Sequence, residues 1–313
     1  MSKTPKVLKL GLPKGSLEKA TLDLMARAGY EVQVSERSYL PRIDDPEIEP
    51  VMLRAQEMSR YVESGALDAG LTGRDWIAEN ASKVHVVTDL VYAKASLAKI
   101  RWVLAVPEKS KVRKVEDLEG GLVATEIVKV TERYFREHGV KVHVEFSYGA
   151  TEIKPGLSGT ADLEKGGWDA DEVNLRRVDA IVDVTETGTS LRANRLRVID
   201  TVMESNTQLI ANPKSWKDPR KRAKIENLAM LLQGAIDARE MVGLKMNVPA
   251  KLKEKVLAIL PAERSPTISG LAEGNWVAVE VILPAARERE LVPELKRAGA
   301  TGIIVYPLNK VIH

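Results

Sequence analysis

Asp179-Ala-Ile-Val-Asp183-Val-Thr185-Glu-Thr-Gly188-Thr-Ser190 is the most informative segment of the chain. It is an apolar strand with a carboxylate near its end, running straight into a loop of hydroxyls and one glycine. A buried strand that opens onto such a loop belongs to an α/β protein, where ligands gather at the carboxyl ends of the strands. Gly188 carries no Cβ penalty for φ > 0, so successive N–H groups can turn inward as an anion nest. Hydroxyls of Thr187, Thr189 and Ser190 would supplement that nest, and together they could hold a terminal phosphate without a lysine. The same residues also suit an ordinary strand-to-helix turn in which Thr and Ser only cap the next element.

Outward from this stretch, strands and helices alternate. Val7 to Leu12 reads as a buried strand, and Leu17, Ala20, Leu24 and Ala28 then recur at helical spacing before Gly29. Glu31 to Val34 begins another strand. A helix over Ala55 to Ser64 precedes the strand Ala69 to Thr72, and Gly73 opens a further helix. Val84 to Val87 is again strand-like. A second α/β unit begins near Ser96, with strands at Trp102 to Val106, Leu122 to Ala124 and Lys141 to Phe146 and a helix over Val128 to His138. The chain then returns through Asp179 to Val184 and Leu196 to Ile199. Two lobes joined by crossing strands place a cleft between them.

The last third reads differently. A long amphipathic helix over about Arg220 to Val242 carries Ile225, Leu228, Leu232, Ala235 and Ile236 on one face. After it come a strand (Leu244 to Val248), a helix (Ala250 to Leu260), strands (Pro266 to Ser269, Trp276 to Leu283), a helix (Ala286 to Ala298) and a strand (Gly302 to Tyr306). That order, βαββαβ, is the ferredoxin-like pattern.

Composition narrows the chemistry. The 313 residues, 44% apolar and 29% charged, suit a soluble globular protein of two or three domains. A formal net charge of +3 gives no strongly basic surface, so neither nucleic acid nor membrane is the expected partner. The absence of cysteine excludes disulfides and thiolate catalysis. No signal-peptide core or membrane-length run is present, and the expected location is cytoplasmic. His85, His138, His143 and His313 show no metal-ligand spacing. Gly11-Leu-Pro-Lys-Gly15-Ser16 has the wrong glycine spacing and lysine position for a Walker loop. Chemistry here is expected to work by positioning and electrostatics.

With these pieces in order, the sequence resembles the ATP phosphoribosyltransferase family in its long form with a C-terminal regulatory domain. The resemblance is carried by Leu12-Pro-Lys-Gly-Ser-Leu17, Asp68-Ala-Gly-Leu-Thr-Gly-Arg-Asp75, Tyr148-Gly-Ala-Thr-Glu152, Asp179 to Leu196, and Ser265-Pro-Thr267 through Gly299-Ala300. The most specific of these is Asp183-x-x-Glu-Thr-Gly-Thr-Ser-Leu-x-x-Asn194-x-Leu196. About Pro155 to Arg177, rich in glycine and charge, departs from the pattern by its length, and reads either as a surface loop or as a cover over the cleft.

The resemblance implies an α/β fold whose two catalytic lobes are similar to those of type II periplasmic binding proteins. Lobe 1 would comprise 1–95 with about 186–240, and lobe 2 would comprise 96–185. A ferredoxin-like (ACT-like) domain would follow over 241–313. It implies transfer of the 5-phosphoribosyl group from 5-phosphoribosyl pyrophosphate (PRPP) to N1 of ATP, the first step of histidine biosynthesis, with Mg2+ as cofactor. Glu186, Thr187, Gly188, Thr189 and Ser190 match the loop that holds the ribose 5-phosphate, and Asp183 the acidic position suited to ribose hydroxyls or the metal. Asp183 reads equally as a satisfied strand-end carboxylate, and Glu152, matched to a ribose contact, equally as a solvated loop residue. Lys14, Gly15 and Arg54 are expected at the ATP phosphates, although Lys and Arg more often stand as plain surface cations. Thr72, Gly73 and Asp75 are placed at the same site by their strand end.

For the last domain the resemblance implies inhibition by histidine at sites between subunits, lined by Asn247, Ser265, Thr267, Gly299 and Gly302. Some long-form relatives carry an acidic residue where this chain has Asn247. Simple turn chemistry accounts for the same residues. The family also implies homodimers that assemble into hexamers. Three other readings compete: a two-lobed small-ligand-binding protein without catalysis, a different phosphoribosyltransferase, and an amino-acid sensor whose catalytic half has decayed.

Overall fold

A computed structural model of the chain describes residues 7–35, 38–92, 99–157, 178–261, 266–272 and 274–313. The chain divides into two units, one of residues 1–22 and 31–226, the other of 23–30 and 227–313.

From the amino-terminal side the elements are β1 (Leu8–Lys14), α1 (Glu18–Ala28), β2 (Val32–Gln33), β3 (Arg42–Ile43), β4 (Ile48–Arg54), α2 (Ala55–Ser64), β5 (Ala69–Gly73), α3 (Arg74–Asn80) and β6 (His85–Leu90). There follow β7 (Ile100–Pro107), β8 (Leu122–Thr125), α4 (Val128–Glu137), β9 (His143–Phe146), α5 (Lys154–Leu157), β10 (Ala180–Thr185), α6 (Thr189–Ala193), β11 (Leu196–Ser205), β12 (Thr207–Ala211), α7 (Pro213–Lys217) and α8 (Pro219–Asp237). Two five-stranded sheets result, ordered β4-β1-β5-β12-β6 and β11-β7-β10-β8-β9.

In the first sheet β1 runs parallel to both β4 and β5, while β12 is antiparallel to β5 and β6. Every residue of β5 and β12 is buried, as expected of strands covered on both faces. Neither β4 nor β12 stands out in the sequence. Pro50 disguises β4, since proline removes a ladder donor. The strand tolerates it because β4 lies at the sheet edge. The α2 helix packs so closely on β1 that a Cβ at Gly11 would lie 2.2 Å from Met58 Sδ.

The second sheet mixes parallel β8, β9 and β10 with antiparallel β7 and β11. Its core on one side includes Trp102, Leu104, Val123, Val130, Phe135 and Val182. Strand β11 extends to Ser205, well past the Ile199 expected from sequence, because bulges after Val198 and Thr201 break its alternation. It pairs with β7, so the segment 196–205 belongs to the second sheet rather than to the first lobe, and the chain returns only at β12.

The second unit contains β13 (Met241–Pro249), α9 (Lys253–Leu257), β14 (Thr267–Gly270), β15 (Trp276–Pro284), α10 (Glu288–Ala298) and β16 (Thr301–Pro307). Its antiparallel sheet has the order β14-β15-β13-β16, the ferredoxin-like arrangement. Leu244, Met246 and Val248 alternate into a core with Val279, Val281, Leu291 and Leu295. The helix expected to reach Val242 ends at Asp237, and Met241 already begins β13. Gly243 fixes that strand: a Cβ there would lie 2.3 Å from the Tyr306 ring of β16. The helix expected over Ala250 to Leu260 is reduced to α9 and a preceding turn.

Candidate functional site

The first sheet sets two cations side by side. Lys14 ends β1, Arg54 ends β4, and the parallel register pairs them directly. Arg54 is exposed and Lys14 half-buried. Gly15 follows at φ 103°, and its amide donates to Glu18 Oε2 at 3.2 Å. The Lys14 ammonium lies 4.5 Å from the centre of the Tyr39 ring. Three of the residues expected at the ATP phosphates therefore share one strand-end rim.

Thr72, Gly73 and Asp75 do not join them. Thr72 is fully buried and its hydroxyl donates to the Ala55 carbonyl at 2.7 Å. Gly73 is buried too, and a Cβ there would lie 2.0 Å from Asp75 Oδ1. Asp75 accepts from Trp102 Nε1 at 2.7 Å and from the Trp76 amide at 2.9 Å, and its own amide donates to Ser205 Oγ. Burial pushes its carboxyl above the usual carboxylate range, against the pull of those donors. Their polar groups find partners inside the protein, where Asp75 joins the two lobes. Glu79 of α3 joins them again, accepting from the amides of Lys129 and Val130 at 3.1 and 3.0 Å. It caps α4, which lacks a capping side chain of its own.

The second sheet supplies the opposite charge. Asp183 lies on β10, its Oδ1 accepting from the Val184 amide at 2.7 Å. Burial raises its pKa to about 7, opposed by that amide and reinforced by Glu152 and Glu126. Glu126 was not singled out in the sequence. It follows Thr125, whose register partner on β10 is Val182, so it stands at the strand end beside Asp183. Burial raises its pKa as well, Gln56 and Arg54 lower it, and Glu152 raises it. These interactions bring Arg54 and Gln56 of the first lobe to the carboxylates of the second. A parallel-strand end next to Asp183 is the signal that could have found Glu126. Glu152 sits in a short turn, Thr151–Ile153, anchored by the buried pair Ser147 Oγ and Thr151 Oγ1 at 2.7 Å.

The loop after β10 turns at Gly188, with φ 74° as expected. Its amide, however, donates to Thr185 Oγ1 at 2.7 Å and so is not one of the nest donors expected from sequence. The amides of Thr189 and Ser190 open α6, where a helix leaves its first N–H groups without intrahelical acceptors. Thr187 Oγ1 and Thr189 Oγ1 lie 2.9 Å apart, and Arg192 Nη2 donates to Thr189 Oγ1 at 3.3 Å. Thr187, Thr189 and Ser190 are exposed, and Glu186 half-buried. Arg192, also overlooked in the sequence, adds a cation one helical turn beyond the loop.

In the C-terminal sheet Asn247 and Gly302 come together. Asn247 pairs with Thr301 next to a bulge, and a Cβ on Gly302 would lie 3.4 Å from Asn247 Nδ2. Gly299 ends α10 at φ 104° against Leu252. Thr267 is exposed on β14, separated from β13 by β15. Ser265 and most of the segment about 155–177 lie outside the described residues.

Among the described residues no three His, Cys, Asp or Glu groups are arranged to hold a metal. No described helix is long and apolar enough to cross a membrane.

Comparison with known proteins places this geometry in a lineage. The profile described as ATP phosphoribosyltransferase (HisG) matches residues 54–163 and 171–234, and that of the HisG C-terminal domain matches 238–310. The ATP phosphoribosyltransferase of Chlorobium chlorochromatii is 57% identical over 312 residues, covering 100% of both chains. That of Solibacter usitatus is 56% identical over 98% of this chain and 99% of its own. The solved ATP phosphoribosyl transferase (HisG:HisZ) complex from Thermotoga maritima matches with a TM-score of 0.57 at 27% identity, over 74% of this chain and 99% of that one. The chain belongs to the ATP phosphoribosyltransferase family and is an enzyme of the phosphoribosyltransferase class.

Proposed function

We propose that the enzyme catalyses attack of the adenine N1 of ATP on the anomeric carbon of PRPP, releasing pyrophosphate and giving phosphoribosyl-ATP, the first step of histidine biosynthesis. The observation that carries this reading is the meeting of a cationic strand-end rim, Lys14 and Arg54, with a half-buried acidic rim, Asp183, Glu126 and Glu152. One suits polyphosphate and the other suits ribose hydroxyls or a cation. The transition state resembles a ribosyl cation leaving a polyanion, and needs in-line orientation and charge stabilisation rather than an enzyme nucleophile. Lys14, Gly15 and Arg54 would hold the ATP phosphates. Thr187, Thr189 and Ser190, with Glu186 and the turn at Gly188, would hold the 5-phosphate, while Asp183 and Glu152 orient the ribose.

The donor set fits Mg2+ in one particular way. It offers no all-protein cage, but Mg2+ commonly takes one or two carboxylates together with substrate phosphates, and Asp183 with Glu152 would provide these. When bound, the metal would neutralise the leaving pyrophosphate. The direct test mixes the protein with ATP, PRPP and Mg2+ and follows the absorbance of the N1-substituted adenine. No product under any substrate concentration would overturn the assignment.

The ferredoxin-like sheet supports histidine sensing, with Asn247, Gly302, Gly299 and Thr267 as pocket candidates, in a homodimer or hexamer. An effector shifts an equilibrium only by its differential affinity for two states. Thr267→Ala should therefore weaken inhibition by histidine about tenfold, the loss of roughly 1.4 kcal/mol, and leave uninhibited turnover alone. Full-length active enzyme indifferent to millimolar histidine would end the regulatory reading.

A further inference from the structure

Tyr39 is a large aromatic side chain that stays 62% exposed beside the cationic rim. Its backbone is hydrogen-bonded into the fold. Its carbonyl accepts from the amide of Met52 at 2.7 Å, two residues before Arg54 on β4. Ser38 Oγ accepts from the Leu40 amide at 3.1 Å and closes the turn around it. The backbone at Tyr39 is thus tied to the strand ends, while the ring has the Lys14 ammonium 4.5 Å from its centre and the residue stays mostly exposed. An aromatic ring anchored at its backbone beside two cations, yet covered so little, is available to a ligand.

We propose that Tyr39 is the stacking platform for the purine base of ATP, and so the residue that makes this rim prefer a nucleoside triphosphate over a bare polyphosphate. The inference rests on the reading of Lys14 and Arg54 as the ATP phosphate site. Three arguments favour it. A base offers a π-face that an aromatic ring recognises whatever the sequence context, and such stacking contributes substantially per base. The phosphates and the base of one ligand need neighbouring cationic and aromatic surfaces, and Lys14, Arg54 and Tyr39 are neighbours through β1 and β4. The other conspicuous exposed ring, Tyr148 at 94% exposure, lies four residues before Glu152, in the segment assigned above to the ribose of PRPP.

The experiment measures binding of ATP and of inorganic tripolyphosphate, separately, by calorimetry on the full-length protein. The wild type should bind ATP more tightly than tripolyphosphate. Tyr39→Ala should weaken ATP about tenfold or more, in line with the loss of one stacked base, and change tripolyphosphate less than threefold. Tyr39→Phe, which keeps the π-face, should behave as wild type, and so should Tyr148→Ala. If Tyr39→Ala proves unstable, Tyr39→Leu retains apolar bulk without a π-face and should show the same selective loss. The proposal is overturned if both ligands weaken equally, if ATP binding is unchanged, if Tyr39→Phe fails like Tyr39→Ala, or if Tyr148→Ala causes the selective loss instead. A wild type that binds neither ligand would instead remove the phosphate site on which the proposal rests.

Discussion

Two rims built on the same plan face the chemistry with opposite charge. At the carboxyl ends of β1 and β4 the first lobe carries half-buried Lys14 and exposed Arg54, with Tyr39 beside them. At the ends of β8 and β10, and in the turn after β9, the second lobe carries Glu126, Asp183 and Glu152, half-buried and mutually repelling. The difference teaches where the free energy lies. Exposed Arg54 loses little on folding and can trade water for phosphate. The half-buried carboxylates are held in an unfavourable setting that a bound cation or a pair of hydroxyl donors would relieve. Lobe 1 is built to attract its ligand, and lobe 2 to need one.

The sharpest way to break this contrast is to remove the turn that presents the phosphate loop. Gly188→Val puts a β-branched residue at φ 74°, with its Cβ 3.0 Å from Arg192 Nη1. We expect turnover with PRPP to fall by more than about a thousandfold, a loss on the order of 4 kcal/mol, with ATP binding nearly unchanged. Circular dichroism would show that the variant is folded, and wild-type turnover by it would take the loop out of the site.

Asp183→Asn tests the acidic rim itself. It keeps the shape and removes the charge, and kcat/KM should drop by about two orders of magnitude, roughly 3 kcal/mol. Its effect on stability should have the opposite sign. A carboxyl whose folded pKa is about 7 against an ordinary value of 3.8 binds its proton more tightly in the folded state. Folding therefore loses stability as pH rises from about 4 to about 7, and the penalty is complete above that window. Removing it would gain up to roughly 4 kcal/mol at pH 8 and little at pH 4. Melting temperatures of metal-free wild type and variant that stay parallel from pH 5 to pH 8 would mean that Asp183 is not strained.

The smallest effect, and the one that sharpens the comparison, belongs to Glu126→Gln. Glu126 raises the pKa of Asp183 and faces Arg54 across the lobes. Without its charge, Arg54 is left wholly to an incoming polyanion. We expect metal-free pyrophosphate to bind about threefold more tightly, a difference of roughly 0.7 kcal/mol, and the titration of Asp183 to move down. Weaker binding would show that Glu126 holds Arg54 in place rather than competing for it.

Much of the fold was legible because its periodicities are local. The helix over 55–64 and the βαββαβ order of the last third appear in the sequence as they do in the structure. What was not legible depends on neighbours. Pro50 reads as a breaker until the strand around it is known to lie at an edge, and Thr207–Ala211 is too short an apolar run to be told from a buried helical segment. At the candidate site, Lys14, Arg54, Asp183 and the turn at Gly188 could be singled out from charge, glycine and strand ends. Thr72 and Asp75 were singled out by their strand end, and the sequence does not show that their polar groups turn inward to partners in the protein. Glu126 and Arg192 were missed because nothing local distinguishes them, and only register and helical turn bring them to the rim.

The position of β12 has a consequence for how the protein is made. This strand lies between β5 and β6, yet it follows the whole second lobe in the chain. On a ribosome adding roughly 5–20 residues per second, the first lobe waits on the order of ten seconds for its missing strand. During that wait β5, a strand buried on both faces in the finished fold, has an open edge of the kind that recruits foreign strands. The second lobe, whose strands are contiguous in the chain, can close first. Synthesis is thus vectorial in name only: the amino-terminal lobe is the later one to be completed.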